Sequence, residues 1–214
     1  MWPEAEDTRE LVAGVRAGDR AAVDRLFARH RDALRRLIEL RLDRAVRRRV
    51  DASDIVQESL VEAHRRLDAY LAGDAMPFHL WLRRIALDRI VDAHRRHRVA
   101  RRRSVDRERA LSAPRPDDRS SLDLLRELTD RQATPAAAAL RKELARRFQG
   151  AIEQLGDDDR EVIVMRHFEG LSNQEVATAL ELSEPAAGMR HLRALRRLRG
   201  VLDADGQGTS GGGT

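Results

Sequence analysis

The chain has no cysteine among its 214 residues. That excludes disulfides, thiolate zinc sites, iron–sulfur clusters and a cysteine nucleophile. Aromatic residues make up only 3% of it, and alternating β-branched runs are almost absent, so helices are expected throughout. No apolar run approaches the roughly 18 residues a membrane span needs, and no membrane insertion is expected. The opening stretch, Met1 to Asp7, is acidic and lacks the basic-then-apolar pattern of a signal peptide, so a cytoplasmic chain is expected. Lysine is nearly missing: Lys142 is the one lysine among 41 basic residues. An arginine fork does suit phosphate better than an ammonium group, but so uniform a bias is explained by the codon usage of a GC-rich genome. No Gly-rich phosphate loop and no acid–base constellation is present, so no enzyme, catalytic residue or cofactor is expected.

What the chain has in abundance is charge. Charged residues are 36% and hydrophobic residues 42%, with a net charge of +5. A basic excess favours a polyanionic partner. The length allows one or two domains, each able to bury a core.

The most informative stretch is Gly170 to Gly200. Ser172-Asn173-Gln174-Glu175 has the capping-box pattern, in which Ser172 accepts from the Glu175 N–H and the Glu175 side chain reaches back. Val176, Ala177 and Leu180 then share a helical face. Glu181-Leu182-Ser183 forms a tight turn, and Ser183 can cap a second helix from Glu184 to about Arg199. That helix carries Arg190, Arg193, Arg196, Arg197 and Arg199. A short helix, a turn and a basic second helix is the layout that lays one helix in a DNA major groove. The competing reading is a surface hairpin whose arginines are merely solvated.

From the start, Thr8 to about Ala17 reads as a helix, broken by Gly18-Asp19. Asp19 can cap the next helix, where Ala22, Val23, Leu26, Phe27, Leu34, Leu37 and Ile38 recur at helical spacing. Arg47-Arg48-Arg49 lies in the connection that follows. Asp51 caps a third helix whose buried stripe is Ile55, Val56, Leu60, Ala63 and Leu67. Its other face shows Asp54, Gln57, Glu58, Glu62 and Arg65. Carboxylates favour the positive end of a helix dipole, and an acidic patch also suits a basic protein partner. Asp68 to Pro77 is expected to be a loop around Gly73-Asp74.

A fourth helix follows, apolar at Phe78, Trp81, Leu82, Ile85, Ala86 and Ile90, polar at Arg83, Arg84, Arg89, Arg95, Arg96 and Arg98. From Arg83 to Arg109 there are 11 arginines against four acids, a second electrostatic footprint for nucleic acid. Trp81 reads as core rather than as a base-stacking platform. His94 and His97 have no further ligand nearby, which argues against a metal site. Ser172 and Ser183 read as caps, not nucleophiles, and His167 as structural or exposed.

Arg101 to Thr134 loses periodicity and reads as a linker with one short helix near Leu122 to Leu128. Leu140, Leu144, Phe148, Ile152 and Leu155 define the next helix. Gly156-Asp157-Asp158-Asp159 opens another, apolar at Val162, Ile163, Met165 and Phe168. Asp203 to Thr214 is expected to be a disordered tail.

Taken together, these motifs resemble bacterial RNA polymerase sigma factors of the extracytoplasmic-function (ECF) type. Asp51-Ala52-Ser53-Asp54-Ile55-Val56-Gln57-Glu58-Ser59 is similar to that family's D-A-E-D-L-V-Q-E-T signature. Phe78-x-x-Trp81-Leu82-x-x-Ile85-Ala86 resembles its next helix. Leu155 to Arg166 with Glu169-Gly170-Leu171-Ser172 is similar to its L-P-x-x-x-R-E-V…EGLS stretch, and Gly18-Asp19 to its A-G-D segment. The resemblance covers roughly Thr8 to Arg98 and Thr134 to Leu202.

It implies an all-α protein of two helical domains joined by a flexible linker. Residues 1–98 would form a region 2-like domain, 99–134 the linker, 135–202 a region 4-like helix-turn-helix domain and 203–214 the tail. It further implies a protein that binds core RNA polymerase, directs it to promoters and assists melting of the −10 element. Asp51, Asp54, Gln57 and Glu58 would face the clamp helices of the largest polymerase subunit. Asp74, His79, Arg83, Arg84, Arg95 and Arg96 would serve the −10 element, the loop capturing an unstacked base. Glu184, Gly188, Arg190, His191, Arg193, Arg196 and Arg197 would serve the −35 element. A face near Val162–Phe168 would help meet the polymerase flap, and an anti-sigma factor is a further candidate partner.

Departures stand beside the match. The family's V-G-T-V-K-S-R-L-H-R becomes Glu184-Pro185-Ala186-Ala187-Gly188-Met189-Arg190-His191-Leu192-Arg193. Ala186 and Gly188 offer no hydrogen-bonding group but allow close backbone approach. Base readout then falls on Glu184, Arg190, His191 and Arg193, with Arg196 and Arg197 on phosphates. The family's common Asn is Asp88, and Gly156 replaces its usual Pro. Two other classes remain: a stand-alone helix-turn-helix regulator, and a helical adaptor for an acidic protein.

Overall fold

The computed structural model describes residues 2–3, 5–42, 44–47, 49–73, 76–105 and 135–207. They fall into two helical units, one within residues 2–105 and one within 135–207. Among the described residues there is no strand.

The first unit runs α1 (Ala5–Arg16), α2 (Arg20–Arg41), α3 (Arg44–Arg47), α4 (Ala52–Ala72) and α5 (Phe78–Val105). The α1–α2 break has a local cause. Gly18 sits at φ +85°, where a side chain is strained, and the Asp19 carboxylate accepts from the Ala21 N–H at 2.9 Å. Asp51 caps α4 likewise, accepting from the Ser53 N–H at 2.9 Å. Arg47, expected in a plain connection, lies in the one-turn α3 and donates to the carbonyls of Leu42 and Glu39, satisfying the end of α2.

α2, α4 and α5 pack on one another around Leu26, Leu34, Ile38, Leu42, Ile55 and Leu82, all with no exposed surface. Truncating one such leucine to alanine costs about 2–5 kcal/mol. His30 is fully buried among them. Its Nδ1 lies 2.9 Å from the Leu26 carbonyl and its ring stands edge-on to Phe78 at 4.9 Å. Burial lowers its pKa to about 4, with the charges of His79 and Arg29 adding to the fall and the Leu26 bond opposing it.

The second unit runs α6 (Pro135–Glu153), α7 (Asp157–His167), α8 (Asn173–Ala179) and α9 (Glu184–Gln207). Ala151, Ile152, Leu155, Ile163, Ala194 and Leu198 form its core. Arg160 donates to the carbonyls of Ile152, Glu153 and Leu155 and so closes the end of α6. At the end of α7, Gly170 takes φ +71° and the Leu171 N–H donates back to Met165 at 3.0 Å, which turns the chain into α8.

Several expectations are corrected. Asp68 to Ala72 is helical, because no breaker precedes Gly73 and Tyr70 stacks on Trp81 at 4.5 Å. Arg101 to Val105 continues α5 instead of opening the linker. Leu144 is 53% exposed, so it is not a core position of α6. α9 does not stop near Arg199 but runs to Gln207, taking Asp203–Gln207 out of the expected tail; Val201 and Leu202 pack against the core and carry it past Gly200. The helix expected near Leu122–Leu128 and residues 208–214 lie outside the described residues, as does Asp74.

Candidate functional site

Three surfaces carry the residues singled out by sequence. The first is on α4. Ile55, Val56, Ser59, Ala63 and Leu67 point inward, and the Ser59 hydroxyl donates to the Ile55 carbonyl at 2.7 Å. At about 100° per residue this turns Asp54, Gln57, Glu58 and Val61 outward together. Asp54 and Gln57 are exposed, and Val61 keeps 51% of its surface. Asp51, also exposed, is already engaged as the cap. Glu58 is engaged as well: Arg96 of α5 donates to both of its carboxylate oxygens, at 2.9 and 3.3 Å. This bond holds the Arg96 proton more firmly than usual.

The second surface is on α5. Arg84, Arg95 and Arg96 are exposed. His79 and Arg83 are not, at 7% and 5% exposure, which corrects the placing of Arg83 on the polar side. α5 is packed by both α2 and α4, so its buried arc is wide and takes in 78–80, 82–83 and 85–86. The His79 ring lies 5.8 Å from Trp2, which also contacts His30 at 6.3 Å. Before α5, the Tyr70 hydroxyl donates to the Met76 carbonyl at 3.1 Å. Tyr70, Phe78 and Trp81 cluster there, so Trp81 is packed against the core. Sequence reasoning passed over Trp2 and His30 because their partners lie far along the chain.

The third surface is the helix-turn-helix. Both bonds of the capping box form: the Glu175 N–H donates to Ser172 Oγ at 3.2 Å and the Ser172 N–H to the Glu175 carboxylate at 2.6 Å. Glu181 turns the chain at φ +54°, and the Leu182 N–H closes on Ala177 at 2.9 Å. Ser183 Oγ accepts from the Ala186 N–H at 3.3 Å. The Asn173 amide donates to the Glu184 carbonyl at 3.0 Å, fixing the start of α9 to α8.

α9 sorts its candidate residues by facing. Glu184, Arg193, Arg196 and Arg197 are exposed. Arg197 nevertheless pairs with the buried carboxylate of Asp159, and Arg190 lies 3.6 Å from Asp158, both at the acidic start of α7. These groups line a groove of about 410 Å³. His191 turns toward α7, its Nε2 3.0 Å from that of His167. Burial lowers its pKa first, then the charges of His167 and Arg166. At Gly188 a side chain would meet the Asn173 amide from 3.5 Å, so this glycine lies against α8, not open to an approaching backbone. Val162, Ile163, Val164 and Met165 are buried in the unit's own core, leaving Arg166, His167 and Phe168 on the face expected to meet the flap.

Among the described residues no group of three or more His, Asp or Glu could hold a metal ion, and no helix is long and apolar enough to cross a membrane.

Comparison with known proteins finds matches in both units. Residues 26–107 match the family model of sigma-70 region 2, and residues 145–198 that of sigma-70 region 4. The chain is similar to RNA polymerase sigma-H factor of Pseudomonas aeruginosa, at 31% identity covering 88% of this chain and 90% of that one. It is similar to RNA polymerase sigma factor CnrH of Cupriavidus metallidurans, at 33% identity covering 97% and 100%. A solved structure of CnrH in complex with the cytosolic domain of CnrY aligns with a TM-score of 0.55 at 28% identity, covering 94% of this chain and 99% of that one.

Proposed function

The chain belongs to the ECF-type sigma factors of bacterial RNA polymerase, a transcription initiation factor and not an enzyme, which binds core polymerase and directs it to promoters; from that premise we propose how its two units divide the work. The outward face of α4 docks on the clamp helices of the largest subunit through Asp54, Gln57 and Glu58. Asp51 holds the start of that helix.

α5 follows the −10 strand with Arg84, Arg95 and Arg96. The segment from Gly73 to Pro77, including Asp74, captures an unstacked base and so assists melting. His79 and Arg83 support this surface from within. In the second unit α9 enters the major groove at the −35 element, with Glu184 and Arg193 toward bases and Arg196 on phosphate. Arg190 and Arg197 reach phosphate only by leaving the α7 carboxylates, and His191 and Gly188 position α9 on α7 and α8. The face of Arg166, His167 and Phe168 meets the flap. These assignments make the chain a cytoplasmic protein of two domains joined across residues 106–134. The CnrH–CnrY complex supports an anti-sigma protein as a further partner.

The observation that carries this reading is one unit holding an acidic α4 face beside an arginine-rich α5 face. A stand-alone repressor needs the second but has no use for the first. Run-off transcription with core polymerase and genomic fragments tests it. We expect discrete transcripts that need both core and this chain. Transcripts from core alone, or none with the chain present, overturn it.

A further inference from the structure

We propose that Met189 and Leu192 read thymine methyl groups in the major groove of the −35 element, so that thymines there are part of what this chain selects. The inference rests on the assignment of α9 to that groove.

α9 packs into its unit through Ala187, Ala194 and Leu198, which are 0%, 0% and 5% exposed. At about 100° per residue, Met189, Leu192 and Arg196 fall on the opposite side of the helix. There Met189 keeps 52% and Leu192 47% of its surface, although both are large and apolar. Arg193, Arg196 and Arg199, all exposed, surround them with positive charge. An apolar centre with a cationic rim complements a groove floor bounded by phosphates.

Three polar groups of α9 do not compete for that centre. Arg190 and Arg197 face the α7 carboxylates, and His191 faces His167. In the major groove the apolar feature of a base edge is the C5-methyl of thymine. Met and Leu gain from contact with it by removing apolar surface from water, and the unbranched Met adapts to its position.

The test uses holoenzyme formed from core polymerase and the full chain. The −35 element is first selected from a randomised template pool. Each selected thymine is then replaced by deoxyuridine, which removes only the methyl. We expect about a fourfold loss of binding for each contacted thymine, the worth of one buried methyl-sized group. Met189→Ala with Leu192→Ala should lose as much on the thymine template and be indifferent to deoxyuridine. Both side chains are exposed, and an unchanged circular dichroism spectrum verifies that the variant is folded.

The proposal falls if no thymine is selected, if the wild type ignores deoxyuridine, or if the variant keeps its sensitivity. It also falls if the variant loses core polymerase instead, since the pair then forms a protein contact. Arg193→Ala and Arg196→Ala separate the two levels. If they weaken binding that depends on the −35 element while deoxyuridine has no effect, only the methyl reading fails. If scrambling the −35 element leaves wild-type binding unchanged, the assignment of α9 fails and the methyl reading with it.

Discussion

A buried imidazole makes the first unit sensitive to acid. His30 is buried neutral, with a pKa lowered from 6.5 to about 4. Above pH 6.5 neither the folded nor the unfolded chain protonates it, and its full contribution to stability is present. Below pH 6.5 the unfolded chain takes up the proton first, so stability is lost as pH falls toward 4, by about 3 kcal/mol in all. Trp2 and Trp81, the two tryptophans of the chain, both lie in this unit, so their fluorescence follows its unfolding alone. Urea unfolding should show a midpoint that drops between pH 6.5 and 4.5, and His30→Leu should flatten the drop even if it lowers stability at pH 7. An equal pH slope in wild type and variant would refute the assignment. His30 was not legible in the sequence because a histidine on an apolar stripe looks like any other. Its role comes from Trp2 and from the adjacent Phe78 and His79, all far from it along the chain. Asp19, Asp51 and Ser172 were legible because a cap and the N–H it accepts lie within three residues. Arg83 failed for the opposite reason: its charge suggested solvent, while packing on two sides of α5 enclosed its position.

At the scale of elements, helix starts were easier to place than helix ends. A start is marked by a capping side chain, whereas an end depends on whether the next turn finds a partner. Gly200 costs about 1 kcal/mol in a helix interior, yet Val201 and Leu202 pack on the core beyond it and α9 continues. α4 runs through Asp68 in the same way, because Tyr70, the third residue of the expected loop, stacks on Trp81. The acidic stretch of α4 was legible in pattern and spacing, but its link to α5 was not: Glu58 and Arg96 are 38 residues apart and meet only when α4 and α5 pack. Asp54 and Gln57 are therefore the cleaner probes, being exposed and outside that pair. Asp54→Arg with Gln57→Ala should abolish copurification with core polymerase while the circular dichroism spectrum is unchanged. Unchanged copurification would remove the polymerase from this face of α4.

For the whole molecule, the two units matter because they are joined. Each presents exposed arginines, Arg84 and Arg95 on one and Arg193 and Arg196 on the other, and once one unit is bound the other searches at raised effective concentration. Their electrostatic contributions should then appear together in one measured quantity. The logarithm of promoter affinity falls with the logarithm of salt by about 0.9 per phosphate neutralised on duplex and about 0.7 on single strand. Arg196→Ala should lower that slope by about 0.9 and Arg84→Ala by about 0.7, with little dependence on promoter sequence. The double variant should lower it by about 1.6, measured for holoenzyme on a fixed promoter between 50 and 200 mM salt. Additivity follows because the two residues lie in separate units and share no partner. A double variant with the slope of either single one would mean that only one of the two faces touches DNA, and a loss confined to one base position for Arg196→Ala would move that side chain from phosphate to base.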